Sequence, residues 1–118
     1  MTASISRLVV SVSALDPALA FYEGLLGLRR TAAAGELARL ATADGVEVML
    51  HERPATPSDT AVAIGFAVAD LDGVVGTWTA RGGAVVDPPE ERPWGERMAV
   101  VRDADGHVVC LSQATPPA

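Results

Sequence analysis

The chain has 118 residues, 49% hydrophobic and 20% charged, which is the balance of a soluble globular protein whose core needs neither zinc nor a disulfide. All 9 basic residues are Arg, and the absence of Lys excludes Schiff-base chemistry, a pyridoxal phosphate anchor and the P-loop. The net charge of -6 argues against a nucleic-acid partner, and the lack of a long apolar run or a signal-like N-terminus predicts a cytoplasmic protein without a membrane span.

The first predicted module covers residues 4–53 and begins with an apolar strand. Asp16 is predicted to cap the following helix, with Pro17 at its first position, and the helix should end at Gly27. Two further strands joined by the Asp-Gly turn at Asp44 complete a hairpin. The predicted buried stripe of the helix consists of Ala18, Phe21, Tyr22, Leu25 and Leu26.

The second module, residues 61–114, repeats the first after a linker at about 54–60. Val68 to Gly73 aligns with Val12 to Pro17 at an offset of 56, and a second Asp-Gly turn follows at an offset of 61. Asp72 is predicted to cap a helix from about Gly73 to Ala80. The five extra residues should lie in the segment 87–95, whose prolines exclude a central strand. The repeat predicts an α+β fold of two βαβββ modules packed as a single domain, residues 1–118.

Strand alternation divides the side chains between a helix-covered face and an open face. Leu8, Val10 and Val12 should contact the first helix, and the first hairpin should align Arg39 with Met49. If the sheets curl, their open faces line a mostly apolar cleft for a small molecule. The alternative is that this face packs against a partner subunit, and periodicity alone favours neither. The predicted lining is Arg7, Arg39, Glu47, Met49 and His51 from one module, and Ala63, Gly65, Met98, Val100 and Cys110 from the other.

Two segments resemble the vicinal oxygen chelate superfamily, which contains glyoxalases, bleomycin-resistance proteins and extradiol dioxygenases. The first runs from Val12 to Leu28 and contains Phe21-Tyr22 and a Leu-Gly stop. The second is Pro93-Trp94-Gly95 with Asp103-Ala104-Asp105-Gly106-His107, similar to a Pro-Trp-Gly and Asp-Pro-Asp-Gly-Asn pattern. The resemblance implies paired βαβββ modules with a curled sheet around a cavity, and commonly a homodimer.

The resemblance also implies four metal-ligand positions, usually His, Glu or Gln, which correspond here to Arg7, Met49, Ala63 and Cys110. A guanidinium, a thioether, a methyl group and one thiol are not a ligand set for a hard divalent metal. We therefore expect no metal and no other cofactor. His51 and Glu47 share the Met49 face, so a displaced metal site is the less favoured alternative.

Several residues have both a functional and a structural interpretation. Arg7 and Arg39 can bind a ligand carboxylate or phosphate, or can form salt bridges with Glu47. Cys110 is interpreted as an inert thiol rather than a nucleophile. His51 is either a ligand contact or an ordinary surface residue. Trp94 can stack on a flat ligand at a pocket rim, although packing beneath its loop is the commoner role of such a side chain.

We expect a metal-free protein that binds a small organic molecule, sequestering a drug or metabolite in the cavity between the sheets. The alternative is a lyase, isomerase or dioxygenase of the same superfamily with an atypical metal site, or with Arg7 and Cys110 acting without one. A third possibility is a dimeric interaction module whose cleft is closed by side chains. The ligand and its charge stay open, because the overall charge suits a cation whereas Arg7 and Arg39 suit an anion.

Overall fold

The computed structural model describes residues 1–115, and the chain divides into two compact units, Met1–Thr56 and Pro57–Ala118. Both units follow the same element order, strand, helix and three strands. The first contains β1 (Arg7–Val12), α1 (Leu15–Leu19) continuing as a π-helical segment (Ala20–Leu25), β2 (Arg29–Ala34), β3 (Leu37–Ala41) and β4 (Glu47–Glu52). The second contains β5 (Ile64–Val68), α2 (Leu71–Ala80), β6 (Val85–Glu91), β7 (Arg97–Arg102) and β8 (Val108–Gln113).

Each unit forms one four-stranded mixed sheet. The strand order is β1-β4-β3-β2 in sheet 1 and β5-β8-β7-β6 in sheet 2. The first strand of each module pairs in parallel with the last, and the remaining pairs are antiparallel. The predicted α+β fold of two βαβββ modules is confirmed. None of the helices within residues 1–115 has the length and apolarity needed to cross a lipid bilayer.

The predicted division of the strands into two faces is correct. Val10 and Val12 are buried whereas Arg7 and Val9 are exposed, as the alternation requires. Both hairpins have the predicted register, with Arg39 opposite Met49 and Val100 opposite Cys110. The open faces therefore carry the side chains that were assigned to them from the sequence.

A separate core lies between the helix and the sheet of each unit. In the first unit Phe21 and Tyr22 are fully buried and meet edge to face, with ring centroids 4.8 Å apart. Leu25 and Leu26 of the predicted stripe are only half-buried. In the second unit Trp78 fills the equivalent place. The other core residues are Val10, Val12, Ala18, Leu28, Ala38, Leu40, Val48 and Leu50 in the first unit, and Val68, Leu71, Val75, Ala99, Val101, Val109 and Leu111 in the second.

Both helix starts differ from the prediction. The residue before α1 is Ala14, which makes no side-chain cap, so Asp16 is in the first turn rather than at the N-cap. The cap of α2 is Asp70, whose carboxylate accepts from Gly73 N–H at 3.1 Å, and Asp72 is again in the first turn. The predicted cap, Asp72, is displaced from the N-cap because the helix begins two residues earlier than expected, at Leu71, directly after Asp70.

Both modules have a contact between the last strand in chain order, β4 or β8, and the start of the helix. The Leu15 N–H donates to Glu52 Oε2 at 2.9 Å, and the Leu71 N–H donates to Gln113 Oε1 at 2.9 Å. The two leucines are 56 positions apart and the two acceptors 61, which are the offsets of the sequence repeat. The duplication therefore extends to this contact, in which a distant side chain satisfies a helix N-terminal N–H group.

The proline-rich segment forms an edge strand of sheet 2. Strand β6 contains Pro88 and Pro89, and its pairing with β7 shifts register between Asp87 and Glu90. An edge position is where prolines are tolerated, because one side of the strand has no partner to receive N–H groups. The expectation that this segment is not a central strand is confirmed.

Candidate functional site

The open face of sheet 1 carries a row of polar side chains on either side of an apolar centre. At one end Arg7 of β1 is the register partner of Glu47 on β4. In the middle Met49 lies between Val9 and Arg39, and at the far end His51 lies between Ser11 and Leu37. We call this surface the sheet-1 face; its residues are Arg7, Val9, Ser11, Arg29, Leu37, Arg39, Ala41, Glu47, Met49 and His51.

Glu47 is the acidic centre of one end of this face. Its carboxylate accepts from Arg7 Nε at one oxygen and from Arg39 Nε at the other. The side chain of Glu47 is 16% exposed, whereas those of Arg7 and Arg39 are 45% and 50% exposed. The hydrogen bond from Arg7, followed by that from Arg39, lowers the pKa of Glu47, so it stays ionised beneath two cations.

A third arginine belongs to the same end of the face and was not predicted. Arg29 is directly opposite Ala41 across the β2–β3 pair, and Ala41 is directly opposite Glu47 across the β3–β4 pair. Residues directly opposite each other share a face, so Arg29 is on the side of Glu47. Its neighbour Arg30 is on the helix side, where it binds Glu23 with two hydrogen bonds of 2.8 Å.

The far end of the sheet-1 face has weaker polar contacts. His51 Nε2 is 3.7 Å from Glu36 Oε2, beyond hydrogen-bond distance. Arg53 Nε donates to the Ser11 hydroxyl at 2.7 Å. His51 is half-buried in the row of Met49, so it belongs to the open face rather than to a fully exposed loop.

The open face of sheet 2 is small and mostly uncharged. Gly65 is directly opposite Cys110, which in turn is opposite Val100. A Cβ added at Gly65 would meet only Cys110, at 3.9 Å from Cβ to Cβ. Met98 is next along the same face, and exposed Ala63 directly precedes β5. This surface offers apolar contact and one half-buried thiol, with no charged group among these residues.

A groove of about 500 Å³ lies elsewhere in the second unit, beside Trp94. Trp94 is 67% exposed and its indole Nε1 donates to Glu96 Oε1 at 2.9 Å. Arg97 forms two hydrogen bonds to Asp72, of 2.8 and 3.4 Å. These bonds raise the pKa of Arg97 and lower that of Asp72. The lining residues are Trp94, Gly95, Glu96, Arg97, Gln113, Ala114 and Thr115.

Each unit carries some of the predicted site residues. Arg7, Arg39, Met49 and His51 share the sheet-1 face. Met98 and Cys110 share the open face of sheet 2, with Ala63 at its edge. The Trp94 groove involves Arg97 and Gln113, the strand neighbours of Met98 and Ser112. Because successive residues point to opposite sides of a strand, this groove opens on the helix side of sheet 2.

The positions that correspond to metal ligands do not fit a divalent metal. Arg7 is a cation that binds Glu47, Met49 offers a thioether and Ala63 offers only a methyl group. None of these groups is a ligand for a hard divalent metal. Glu47, the acid closest to Arg7, has both oxygens bound by guanidinium groups. Across residues 1–115 there is no cluster of three or more His, Cys, Asp or Glu side chains that could hold a metal ion.

A family model described as the Glyoxalase/Bleomycin resistance protein/Dioxygenase superfamily matches residues 4–111. Among curated proteins, the putative glyoxylase CFP32 of Mycobacterium bovis is 35% identical over 107 residues, 86% of this chain. The chain spans 40% of the length of that relative.

Solved structures are similar over nearly the whole chain. TnmS3, an antibiotic binding protein from a Streptomyces species, is 26% identical with a TM-score of 0.74, covering 97% of this chain and 98% of its own. TioX from a Micromonospora species is 27% identical with a TM-score of 0.68, covering 96% of this chain and 100% of its own.

Proposed function

The chain belongs to the Glyoxalase/Bleomycin resistance protein/Dioxygenase superfamily, and we propose that it is a member that binds a small organic molecule without a metal. The observation that carries the proposal is the Trp94 groove. An indole that is 67% exposed and held by a hydrogen bond to Glu96 is a ready stacking surface beside a groove of about 500 Å³.

The groove favours a flat aromatic ligand. The indole cannot turn freely because Nε1 is bound to Glu96, and Gly95, with φ of 88°, fixes the turn that carries it. Arg97 and Gln113 of the lining are bound to Asp72 and to the backbone around α2. Since these polar groups have partners, we expect a ligand to make its main contact with the indole face.

The similarity to TnmS3 supports this class of function. TnmS3 is described as an antibiotic binding protein, and the two chains match over almost their full lengths. We propose that this chain likewise sequesters a drug or metabolite. The misfit of the metal-ligand positions supports binding over metal-assisted turnover.

Intrinsic fluorescence tests the proposal, because the two tryptophans have different environments. Trp94 is 67% exposed whereas Trp78 is 9% exposed, so a ligand in the groove should quench the red-shifted emission of Trp94. The experiment titrates a panel of planar aromatic antibiotics into the parent chain and the Trp94→Ala and Trp94→Phe variants. We expect Trp94→Ala to lose binding and Trp94→Phe to keep part of it, measured by calorimetry. Equal affinity in all three proteins would refute the groove as the binding site.

Catalysis is the second candidate, and the name of the mycobacterial relative, putative glyoxylase, is the observation that favours it. In that case Arg7 on the sheet-1 face, or Cys110 on the open face of sheet 2, acts on the substrate. The candidate predicts turnover that Arg7→Ala or Cys110→Ala abolishes while circular dichroism shows an intact fold. If both variants keep the activity, these two residues are not catalytic.

We also propose that the protein is a homodimer. All six residues of the edge strand β2 are exposed, and an exposed edge is a template for pairing with another chain. Native mass spectrometry should detect two subunits, and a monomer at micromolar concentration would refute this.

A further inference from the structure

The arginine cluster around Glu47 has more positive than negative charge. Arg7 and Arg39 both bind this one carboxylate, and Arg29 is on the same face with no ion pair within the described chain. The nearest acid along the strands is Asp44, at the tip of the β3–β4 turn, where it accepts the Thr42 hydroxyl at 2.6 Å. Even when Asp44 is counted with Glu47, the three arginines outnumber the two acids.

This surplus contrasts with the other ion-paired arginines between residues 1 and 115. Arg30, Arg97 and Arg102 each have a carboxylate of their own, Glu23, Asp72 and Asp59, at 2.8 Å. Arg92 has two carboxylates. In a chain of net charge -6, the Glu47 end of the sheet-1 face is thus a local positive region.

The cluster also keeps hydrogen-bond donors free. A guanidinium has five N–H donors, and Arg7 and Arg39 each use Nε for Glu47. Their terminal nitrogens make no other hydrogen bond within residues 1–115. Glu47 is 16% exposed and therefore lies deeper than the two arginines that it binds. It orders both guanidinium groups, whose terminal N–H groups remain available on the solvent side.

The neighbouring residues complete the site. Val9 and Met49 are two positions along β1 and β4 from Arg7 and Glu47, about 7 Å away on the same face. Val9 is 48% exposed, so it presents an apolar surface on the same face as the arginines. An apolar body attached to the bound group would therefore cover Val9 and Met49.

We propose that Arg7, Arg39 and Arg29 form a binding site for the carboxylate of an organic acid whose apolar part lies on Val9 and Met49. A planar carboxylate matches the paired donors of a guanidinium, which favours it as the bound group. The site is on sheet 1 and does not depend on the Trp94 groove, so either proposal can fail without the other.

Three ligands of the same size test the charge preference. Benzoate, benzamide and benzamidinium share one ring and differ in charge, and each is titrated near neutral pH while backbone amide NMR spectra are recorded. We expect benzoate to bind at least about fivefold more tightly than benzamide, because charged hydrogen bonds are the stronger ones. The largest chemical-shift changes should occur in β1, β3 and β4, and the Trp94 indole signal should not change.

Variants then assign the binding to the cluster. Arg7→Gln and Arg39→Gln should each weaken benzoate about fivefold or more and leave benzamide unchanged. Arg29→Gln breaks no ion pair and so keeps the fold, and it should weaken benzoate about twofold. The matched control is Arg81→Gln, an exposed arginine at the end of α2, which removes the same charge elsewhere.

Three outcomes would overturn the proposal. If benzoate and benzamide bind equally, the site does not recognise charge. If Arg81→Gln weakens benzoate as much as Arg39→Gln does, the effect is one of net charge and not of a site. If Arg29→Gln and Arg7→Gln each leave the benzoate affinity unchanged, benzoate does not bind at this cluster.

Discussion

The indole of Trp78 lies so close to Gly83 that a Cβ at Gly83 would come within 2.1 Å of ring atom Cε2. The Gly83 N–H donates to the Trp78 carbonyl at 2.8 Å, and Trp78 Nε1 donates to the Arg102 carbonyl at 2.9 Å. One side chain therefore joins the end of α2, the following turn and strand β7. The glycine is required by this close approach rather than by backbone conformation.

Gly83→Ala should destabilise the protein by about 1–3 kcal/mol, the usual cost of overpacking a filled core. The added methyl must displace the indole, which would also weaken the bond from Trp78 Nε1 to Arg102. Urea denaturation measures the loss. A free energy of unfolding equal to that of the parent would show that the ring can move aside without cost.

Gly76→Ala, inside α2, is the opposite case. Gly76 is in the interior of α2, and nothing lies within 4 Å of a Cβ built there. Alanine restricts the unfolded chain and favours the helix, so we expect stabilisation of about 0.5–1 kcal/mol. Urea denaturation should rank Gly76→Ala, parent and Gly83→Ala in order of decreasing stability, and any other order contradicts the packing described above.

The two aspartates at the start of α2 should differ in their effect on stability. Asp70→Ala removes the cap of Gly73 N–H and should cost about 1 kcal/mol. Asp72→Ala removes an exposed ion pair with Arg97, which salt screens, so the loss should be smaller. Thermal unfolding of both variants checks the assignment, and the reverse order would indicate that Asp72 is the cap in solution.

The sequence was sufficient to predict the register of the hairpins but not the helix starts. Each Asp-Gly turn defines which residues face one another, and alternation then assigns Met49 and Cys110 to their faces. The N–H group that opens α1 is bound by Glu52, 37 positions away, which no local pattern of residues reveals. The prediction of Asp16 as the N-cap rested on local capping preference alone, and it was wrong for this reason.

Part of the candidate site was missed for a similar reason. Strand β2 is exposed at all six residues and has few apolar side chains, so alternation offers no signal for its register. Arg29 could be assigned to the face of Glu47 only through the pairing of β2 with β3. Strand periodicity also could not assign Trp94 to one side of sheet 2, because Trp94 lies in a loop between β6 and β7.

Glu47 should make stability depend on pH in the acidic range. Its pKa is lowered in the folded protein by hydrogen bonds from Arg7 and Arg39, so its contribution is present above the unfolded value of about 4.3 and is lost as the pH falls through the folded value. We expect the melting temperature to fall below about pH 4.3, and to fall less in Glu47→Gln, which has no carboxylate to protonate. Identical pH profiles for the two proteins would show that the ion pairs contribute nothing in solution.

Divalent metals should neither bind stoichiometrically nor stabilise the protein. Arg7 brings a positive charge to a position that would otherwise supply a donor. Arg7 and Arg39 both bind Glu47, so a metal ion would have to displace two guanidinium groups from this carboxylate. Incubation with Mn²⁺, Ni²⁺ or Zn²⁺ followed by washing should leave the melting temperature unchanged and little metal on elemental analysis. Cys110→Ser is the control for Zn²⁺ held only by the thiol, since it removes that contact and leaves the arginine cluster intact. Stoichiometric Mn²⁺ or Ni²⁺ in the washed parent, with a raised melting temperature, would contradict the proposed metal-free function and favour the enzymatic alternative.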